Sequence, residues 1–596
     1  MGSRRLFTAW HSALAPSQGG ISTSGTASAV SLASGSAVPS VTGLSSASGA
    51  GSTSARPACG PRLASLSLDL LRALFGAEAS ARPCRLLPLW RTLAAAGHEN
   101  AFLAHMRSLP PAARRQLLSG HLAPQAWLQA GTPSSIGRPL GAASAPPQRV
   151  DCLVVGAGLA GLTAAARLRE AGLSVLVLEA AAQVGGRMHT DRGRFALPVD
   201  LGAARLHSGA ANPLAPVLRA MGFTLVADTT AGLAICGRPG ADPRREYDAL
   251  LATRGRLAAL FEAAQPPSDA LSDVPLPADL GPWQGTALAG IGPLEMGVAA
   301  ALVSTTELRR LMPESAGDLY VAEGLGTVAE ALSWGLPVCC GQPVRGLDWG
   351  PTGVTAQLGA AGSVPGGRSP TSAVHARCAI LTLPVASLVA GHLDFRPHLP
   401  AWKWAALRAM GTGHYEKIIL QFSHDIFPQL APGTPLHLVC ADGEAIDFVL
   451  KPPLSGPPGA RQVMAVAYVG GPWAQRLQAG TTSAAVDYAL RRLAEYVGSA
   501  ARAAFVDGDM TRWASSYAGG AYSAARPGAS AARVDLRRPV GTALYFAGEA
   551  YDAESADGSS WCTHVTGAWR SGQQAAAEVI AAVTGRRTPA AGQVHV

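Results

Sequence analysis

Val150-Asp151-Cys152-Leu153-Val154-Val155-Gly156-Ala157-Gly158-Leu159-Ala160-Gly161 decides how this chain reads. Val150–Val155 is a short, mostly apolar run of strand length, and Leu162–Glu170 has the period of a helix. A second apolar run, Ser174–Glu179, follows at strand spacing. Each of the three glycines between strand and helix has its own task. Gly156 allows a tight turn, Gly158 lets backbone approach a pyrophosphate, and Gly161 lets the helix lie close on the strand. The helix N-terminus adds N–H groups and partial positive charge for the phosphates. Glu179 stands 21 residues after Gly158, where a carboxylate can take ribose hydroxyls and would repel a 2′-phosphate. The stretch therefore predicts an α/β dinucleotide-binding domain that does not take NADP.

Gly185-Gly186-Arg187 comes soon after the acid, as in flavoproteins with two dinucleotide-binding domains. This points to FAD rather than NAD: the glycines bring backbone near the cofactor, and Arg187 can neutralise pyrophosphate charge. Further along stand Val199-Asp200-Leu201-Gly202-Ala203-Ala204-Arg205-Leu206-His207 with Asn212-Pro213, then Glu323-Gly324-Leu325-Gly326, Pro343-Val344-Arg345, Ala379–Pro384 and Phe546-Ala547-Gly548-Glu549. In that order they resemble the motifs of the flavin-containing amine oxidase family, which includes monoamine, polyamine and L-amino-acid oxidases and lysine-specific histone demethylases. The resemblance covers residues 149–585. It implies a Rossmann-like FAD-binding domain interleaved with a mixed α+β substrate domain. It also implies that Gly202 and Ala203 lie behind the flavin, that the Val344 backbone holds the adenine, and that Gly548 and Glu549 meet the sugar-phosphate chain. Val565 would open a helix aimed at the flavin edge that becomes negative on reduction, an arrangement a helix N-terminus stabilises.

The same resemblance assigns the chemistry. Lys417, in Tyr415-Glu416-Lys417-Ile418-Ile419-Leu420-Gln421-Phe422, matches the family's K-x-x-L-x-F strand, whose lysine holds a water on flavin N5. The chain has 45 arginines and only three lysines, Lys403, Lys417 and Lys451, so chance is a poor account of a lysine at that position. Tyr522 matches one wall of the aromatic sandwich of monoamine oxidases, and an aromatic face favours a positively polarised amine. Ala521 replaces the cysteine that bonds to their flavin, so the FAD is expected to be non-covalent. Trp513 aligns with an aromatic that packs on the flavin. His564 stands at the second sandwich tyrosine, where it could stack or titrate near neutral pH. His207 with Asn212-Pro213 resembles polyamine oxidases, whereas Arg205 matches the arginine with which L-amino-acid oxidases pair a substrate carboxylate. The segment after Glu549, with Asp552, Glu554 and Asp557, is longer than is usual in the family and reads as a polar loop near the mouth of the site.

Composition fits a large globular enzyme: 596 residues, 48% hydrophobic and 15% charged. The net charge of +9 comes with no long basic run and no interleaved aromatics, so nucleic acid is not an expected partner. Nine cysteines without a CxxC pair or a His/Cys cluster give neither a disulfide framework nor a metal site. No apolar run reaches the roughly 18 residues of a membrane span.

Residues 1–60 are basic, Ser-rich and free of acids, as in a transit peptide to an organelle, a plastid before a mitochondrion; a disordered cytoplasmic tail is the alternative. Residues 61–148 read as a helical appendage and linker. The FAD-binding domain is expected over 149–225, 321–390 and 521–585, the substrate domain over 226–320 and 391–520, and a tail over 586–596. The expected function is oxidation of a polyamine or other primary or secondary amine to an imine or aldehyde, with O2 reduced to hydrogen peroxide. An L-amino-acid oxidase, an oxidase of C–C bonds and a non-catalytic FAD-binding scaffold remain open as further readings.

Overall fold

The computed structural model describes residues 149–227, 235–236, 242–311, 317–359, 372–426, 437–439, 446–450, 464–552, 554 and 560–585. The transit-peptide, helical-appendage and tail readings, and Asp557, lie outside these.

The fingerprint folds as strand, loop, helix, strand. Strand β1, Arg149–Val155, is followed by helix α1, Leu159–Glu170, and strand β2, Val175–Leu178. The helix begins inside the motif, three residues earlier than periodicity suggests, because the Leu162 N–H already bonds the Gly158 carbonyl at 3.0 Å. β1 pairs in parallel with β2 and with strand Ser372–Leu381. Its side chains alternate between two buried faces. Cys152 and Val154 pack with α1 and the long helix Val565–Thr584, while Leu153 and Val155 pack with Leu381, Leu407 and Phe546. Burial on both faces explains why β1 reads as a nearly continuous apolar run.

This sheet has eight strands gathered from distant parts of the chain, including Val344–Gly350 and Leu544–Phe546. It also takes strand Asp394–Arg396, which pairs in parallel with Val344–Gly350, so the first sheet extends past the boundary expected at residue 390. Gly161 sets how closely α1 lies on the loop, since a Cβ there would stand 2.0 Å from the Gly156 carbonyl oxygen. Gly156 itself has φ +107°, a conformation that side-chain-bearing residues rarely adopt.

A second, six-stranded sheet carries the substrate side. Its strand Tyr415–Phe422 is antiparallel to Met464–Gly470 and to Phe505–Met510. Ile418, Leu420 and Phe422 pack on helix Thr482–Val497, and the opposite face carries Tyr415 and Ile419. Period-two alternation puts Lys417 on that opposite face. A helical layer, chiefly Pro243–Ala263 and Gln284–Ala289, forms a core of its own with Met296, Val298 and Ala524. The fold is thus a Rossmann-like domain interleaved with an α+β region, and the intervening cavity is lined from both.

Gly161→Ala tests the close approach. We expect about 1–3 kcal/mol of lost stability, the usual penalty for overpacking, read from denaturant unfolding of flavin-free protein. An unchanged transition would show that the loop relaxes freely.

Candidate active site

One cavity of about 430 Å³ runs from Glu179, past the glycine loop, to Lys417, Tyr522 and His564. Of the residues expected at the site, Gly156, Gly158, Glu179, Gly186, Arg187, Gly202, Ala203, Val344, Trp513, Gly548, Glu549 and Val565 line it, together with Arg205. Gly161 does not line it; its place under the loop is a packing role.

At the dinucleotide end, the Glu179 carboxylate accepts from the N–H of Ala157 at 2.7 Å and of Ala181 at 2.8 Å. It therefore braces the loop as well as facing the cavity, and burial pushes its carboxyl above the ordinary range. Arg187 does not stand alone to meet a phosphate. Its Nη1 donates to Glu549 at 2.8 Å and to the Ala521 carbonyl at 2.9 Å. Glu549 also accepts from the Ser523 hydroxyl at 2.7 Å. Burial pushes the Glu549 carboxyl up, but Arg187 and Arg533 outweigh it and hold the group below its usual range.

The fit of a flavin dinucleotide rests on the two helix ends. Neither α1 nor Val565–Thr584 has a side chain capping its N-terminus, and both N-termini border this cavity. Helix N-terminal N–H groups need acceptors, and two such ends facing one space suit a ligand anionic at one end and electron-accepting at the other.

On the opposite wall, Lys417 is 4% exposed. Its Nζ donates to the carbonyls of Asp200 and Gly202, each at 2.6 Å, which ties the Asp-Leu-Gly-Ala block to the second sheet. Trp513 lies beside it, its indole N–H 3.3 Å from the Leu201 carbonyl. Tyr522 sets its hydroxyl on the Glu295 carbonyl at 2.9 Å, and its ring is 6.1 Å from that of Tyr415. Tyr415 and Tyr468 also line the cavity.

Glu416 escaped the sequence reading. It faces away from Lys417 and is fully buried. Its carboxyl takes the Trp513 backbone N–H at 2.8 Å and the Thr511 hydroxyl. Burial pushes it up to about 7, against those hydrogen bonds and the charge of Arg512. A charged residue at a core position of an apolar strand was the available signal.

The third wall comes from one backbone bridge. Leu206 and Leu319 exchange hydrogen bonds of 2.8 and 2.9 Å and bury their side chains together. The bridge sets the flanking residues opposite one another. Arg205 Nε donates to the Tyr320 hydroxyl at 2.8 Å, and His207 Nδ1 lies 3.2 Å from Asp318. No motif pointed to Asp318, because only the bridge brings it to His207. The His564 ring meets that of His207 edge-on at 4.6 Å. His564 was expected to stack or to titrate near neutrality. Burial and the neighbouring His207 instead push it down to about 3, so it stays neutral.

Of the acids in the segment after Glu549, Asp552 and Glu554 lie away from the main cavity. Asp552 is buried, takes the Trp561 N–H at 2.9 Å and lies 3.4 Å from Arg570. Glu554 meets Arg310 at 2.8 Å. Both border a separate cavity of about 210 Å³ with Arg533 and Cys562.

Comparison with known proteins agrees with this geometry. The model of the family "Flavin containing amine oxidoreductase" matches residues 244–580, and that of the "NAD(P)-binding Rossmann-like domain" matches residues 154–221. "Probable polyamine oxidase 4" of Arabidopsis thaliana is 29% identical over 334 residues, 47% of this chain and 59% of that protein. "Lysine-specific histone demethylase 1 homolog 3" of the same plant is 27% identical over 476 residues, 68% of this chain and 29% of that protein. The chain thus spans less than two thirds of the length of either relative. The solved cyclohexylamine oxidase from Brevibacterium oxydans IH-35A shares the fold, with a TM-score of 0.58 at 20% identity over 74% of this chain and 100% of that one.

Glu416 predicts a pH dependence of stability. Its folded pKa of about 7 lies above the ordinary 4.5, so between those values the folded protein holds a proton that the unfolded chain has lost. The resulting stability is fully present below pH 4.5 and disappears as pH rises through 7. Glu416→Gln removes this contribution. In thermal melts, the advantage of the parent protein over the variant should be greatest near pH 4.5 and fade by pH 7.5; a constant difference would refute it.

Proposed function

The chain belongs to the flavin-containing amine oxidoreductase family, and from that premise we propose that it oxidises an amine without an α-carboxylate, a polyamine or another primary or secondary amine. The product is an imine, which water converts to an aldehyde, while O2 is reduced to hydrogen peroxide. Non-covalently bound FAD supplies the two-electron acceptor. Glu179, Arg187, Glu549 and the two helix N-termini are the groups that would hold it.

The observation that carries this reading is Lys417, a buried ammonium anchored on the Asp200 and Gly202 carbonyls at the wall of an aromatic-lined cavity. A cation fixed by backbone is a preorganised dipole and needs no rearrangement during reaction. Tyr522 and Tyr415 supply faces against which an amine nitrogen is oriented. Tyr415, Tyr468, Trp513 and Tyr522 line this end of the cavity, and displacement of water by a bound substrate would strengthen each electrostatic contact within. Relatives named as polyamine oxidases support the substrate class.

Arg205 favours the second reading, an L-amino-acid oxidase. Against it, the guanidinium already gives its Nε to Tyr320, lies 5.4 Å from that ring's centre, and is near the anionic Asp318. A substrate carboxylate would be set close to that negative charge.

Three measurements test these statements. Acid precipitation of the purified protein should release all its flavin, because Ala521 offers no atom for a covalent bond; flavin retained in the pellet would refute this. Lys417→Met should keep FAD and slow flavin reduction or reoxidation by roughly 10²-fold in stopped flow, the scale of losing one oriented group at a reacting centre. Rates equal to those of the parent protein would make Lys417 structural only. Arg205→Ala should leave oxidation of simple amines within a few-fold. Vigorous L-amino-acid oxidation lost only in that variant would favour the second reading.

A further inference from the structure

We propose that Lys403, outside the main cavity, is a positioning residue for the flavin dinucleotide: its buried ammonium fixes the two segments that set the Glu549 carboxylate against Arg187. The inference rests on the FAD-binding part of the reading above and on no particular amine. Lys403 is one of three lysines in a chain with 45 arginines. It lies in helix Ala401–Ala409 and is 0% exposed. A charge so placed is costly unless it is paired or fully hydrogen-bonded.

The compensation comes from one helix end. Lys403 Nζ donates to the carbonyls of Asp535 at 2.8 Å, Leu536 at 2.7 Å and Arg538 at 2.6 Å. Helix Ala532–Arg537 ends there, and the last carbonyls of a helix have no partner within it. Three acceptors match the three hydrogens of an ammonium, and a helix C-terminus favours its positive charge. Burial pushes the Lys403 pKa down to about 7, and Asp535 opposes that shift. A guanidinium presents its donors as a flat fork and cannot aim three of them from one atom. That accounts for a lysine at this point of a chain that otherwise uses arginine. On its other side, Nζ lies 3.8 Å from the centre of the buried Phe546 ring.

Both contacts lead to Glu549. Phe546 ends strand Leu544–Phe546, three residues before Glu549. On the helix that Lys403 caps, Arg533 Nη1 donates to the Ser523 hydroxyl and to the Ala550 carbonyl, each at 3.0 Å. Its Nε and Nη2 hold Glu307 at 2.9 and 2.7 Å. The Ser523 hydroxyl donates to Glu549 at 2.7 Å, and Glu549 accepts from Arg187 at 2.8 Å. Arg187 and Glu549 line the main cavity, and Lys403 stands behind them without reaching it. Removing the ammonium leaves three carbonyls without their donor beside an apolar ring. Unpaired buried acceptors are costly, so the helix end shifts, and the Arg533 guanidinium shifts with it. Ser523 and Ala550 then no longer hold Glu549 in one place, and the Arg187 side chain loses its fixed partner at the cofactor.

The test is retention of FAD by the full-length holoenzyme at pH 6, below the Lys403 pKa of about 7. Equilibrium dialysis gives the Kd for FAD of the parent protein, Lys403→Met, Ser523→Ala and the double variant. Each single change should raise Kd by about 10-fold, the scale on which partners that orient a binding group act. The double variant should stay near 10-fold rather than reach the roughly 100-fold of independent effects, because both changes break one line of contacts. Leu490→Ala, in the apolar core of the second sheet, is the control. It should lower the unfolding temperature yet leave Kd within about two-fold, as expected of a distant site. Lys403→Gln keeps two N–H donors without the charge. It should raise Kd by roughly 5-fold, and it replaces Lys403→Met throughout if that variant does not fold. A Kd in the Lys403 variants no higher than in Leu490→Ala, or fully additive effects in the double variant, overturns the inference and leaves the FAD-binding reading standing. A parent protein that binds no FAD overturns both.

Discussion

The pair of half-buried Arg187 and buried Glu549 is the interaction on which the rest of the site depends. It joins the loop after β2 to the segment after Leu544–Phe546, 362 residues further along the chain. Glu549 also holds Ser523, and Ser523 holds Arg533, which grips Glu307 through two hydrogen bonds of 2.9 and 2.7 Å. One chain of charged and polar groups therefore links the dinucleotide-binding sheet, the strand beside Tyr522 and the helical layer. Arg533 and Glu307 are buried on both sides, and breaking such a pair by removing one partner leaves an uncompensated charge at a cost of about 3–5 kcal/mol.

Electrostatic character changes along the cavity. At one end, the uncapped N-terminus of α1 provides positive potential for a phosphate-bearing ligand, while the uncapped N-terminus of Val565–Thr584 meets the cavity beside His564. At the other stand the rings of Tyr415, Tyr468 and Tyr522 and the Asp318 carboxylate, and Lys417 is tied to the Asp200 and Gly202 carbonyls.

Burial also sorts the ionisable groups into distinct states. Glu416 is driven up to about 7 and His564 down to about 3, while Asp318 stays anionic because charged and polar neighbours outweigh its desolvation. Residue types alone would have left all three ambiguous.

The sequence by itself determined the dinucleotide fold, because glycine spacing and apolar periodicity are local constraints: a strand, a tight turn and a helix end follow from neighbouring residues. It also marked Lys417, Tyr522 and Glu549, since each sits in a short motif. What only the tertiary structure decided were the partnerships. Arg187 meets Glu549, Lys417 meets Asp200 and Gly202, and His207 meets Asp318 through contacts between residues more than a hundred positions apart. Protonation states likewise depended on burial, as for His564. A side chain's charge and reach can be read from its type, but its partner and its solvent exposure are set by how distant elements pack, and no local pattern encodes them.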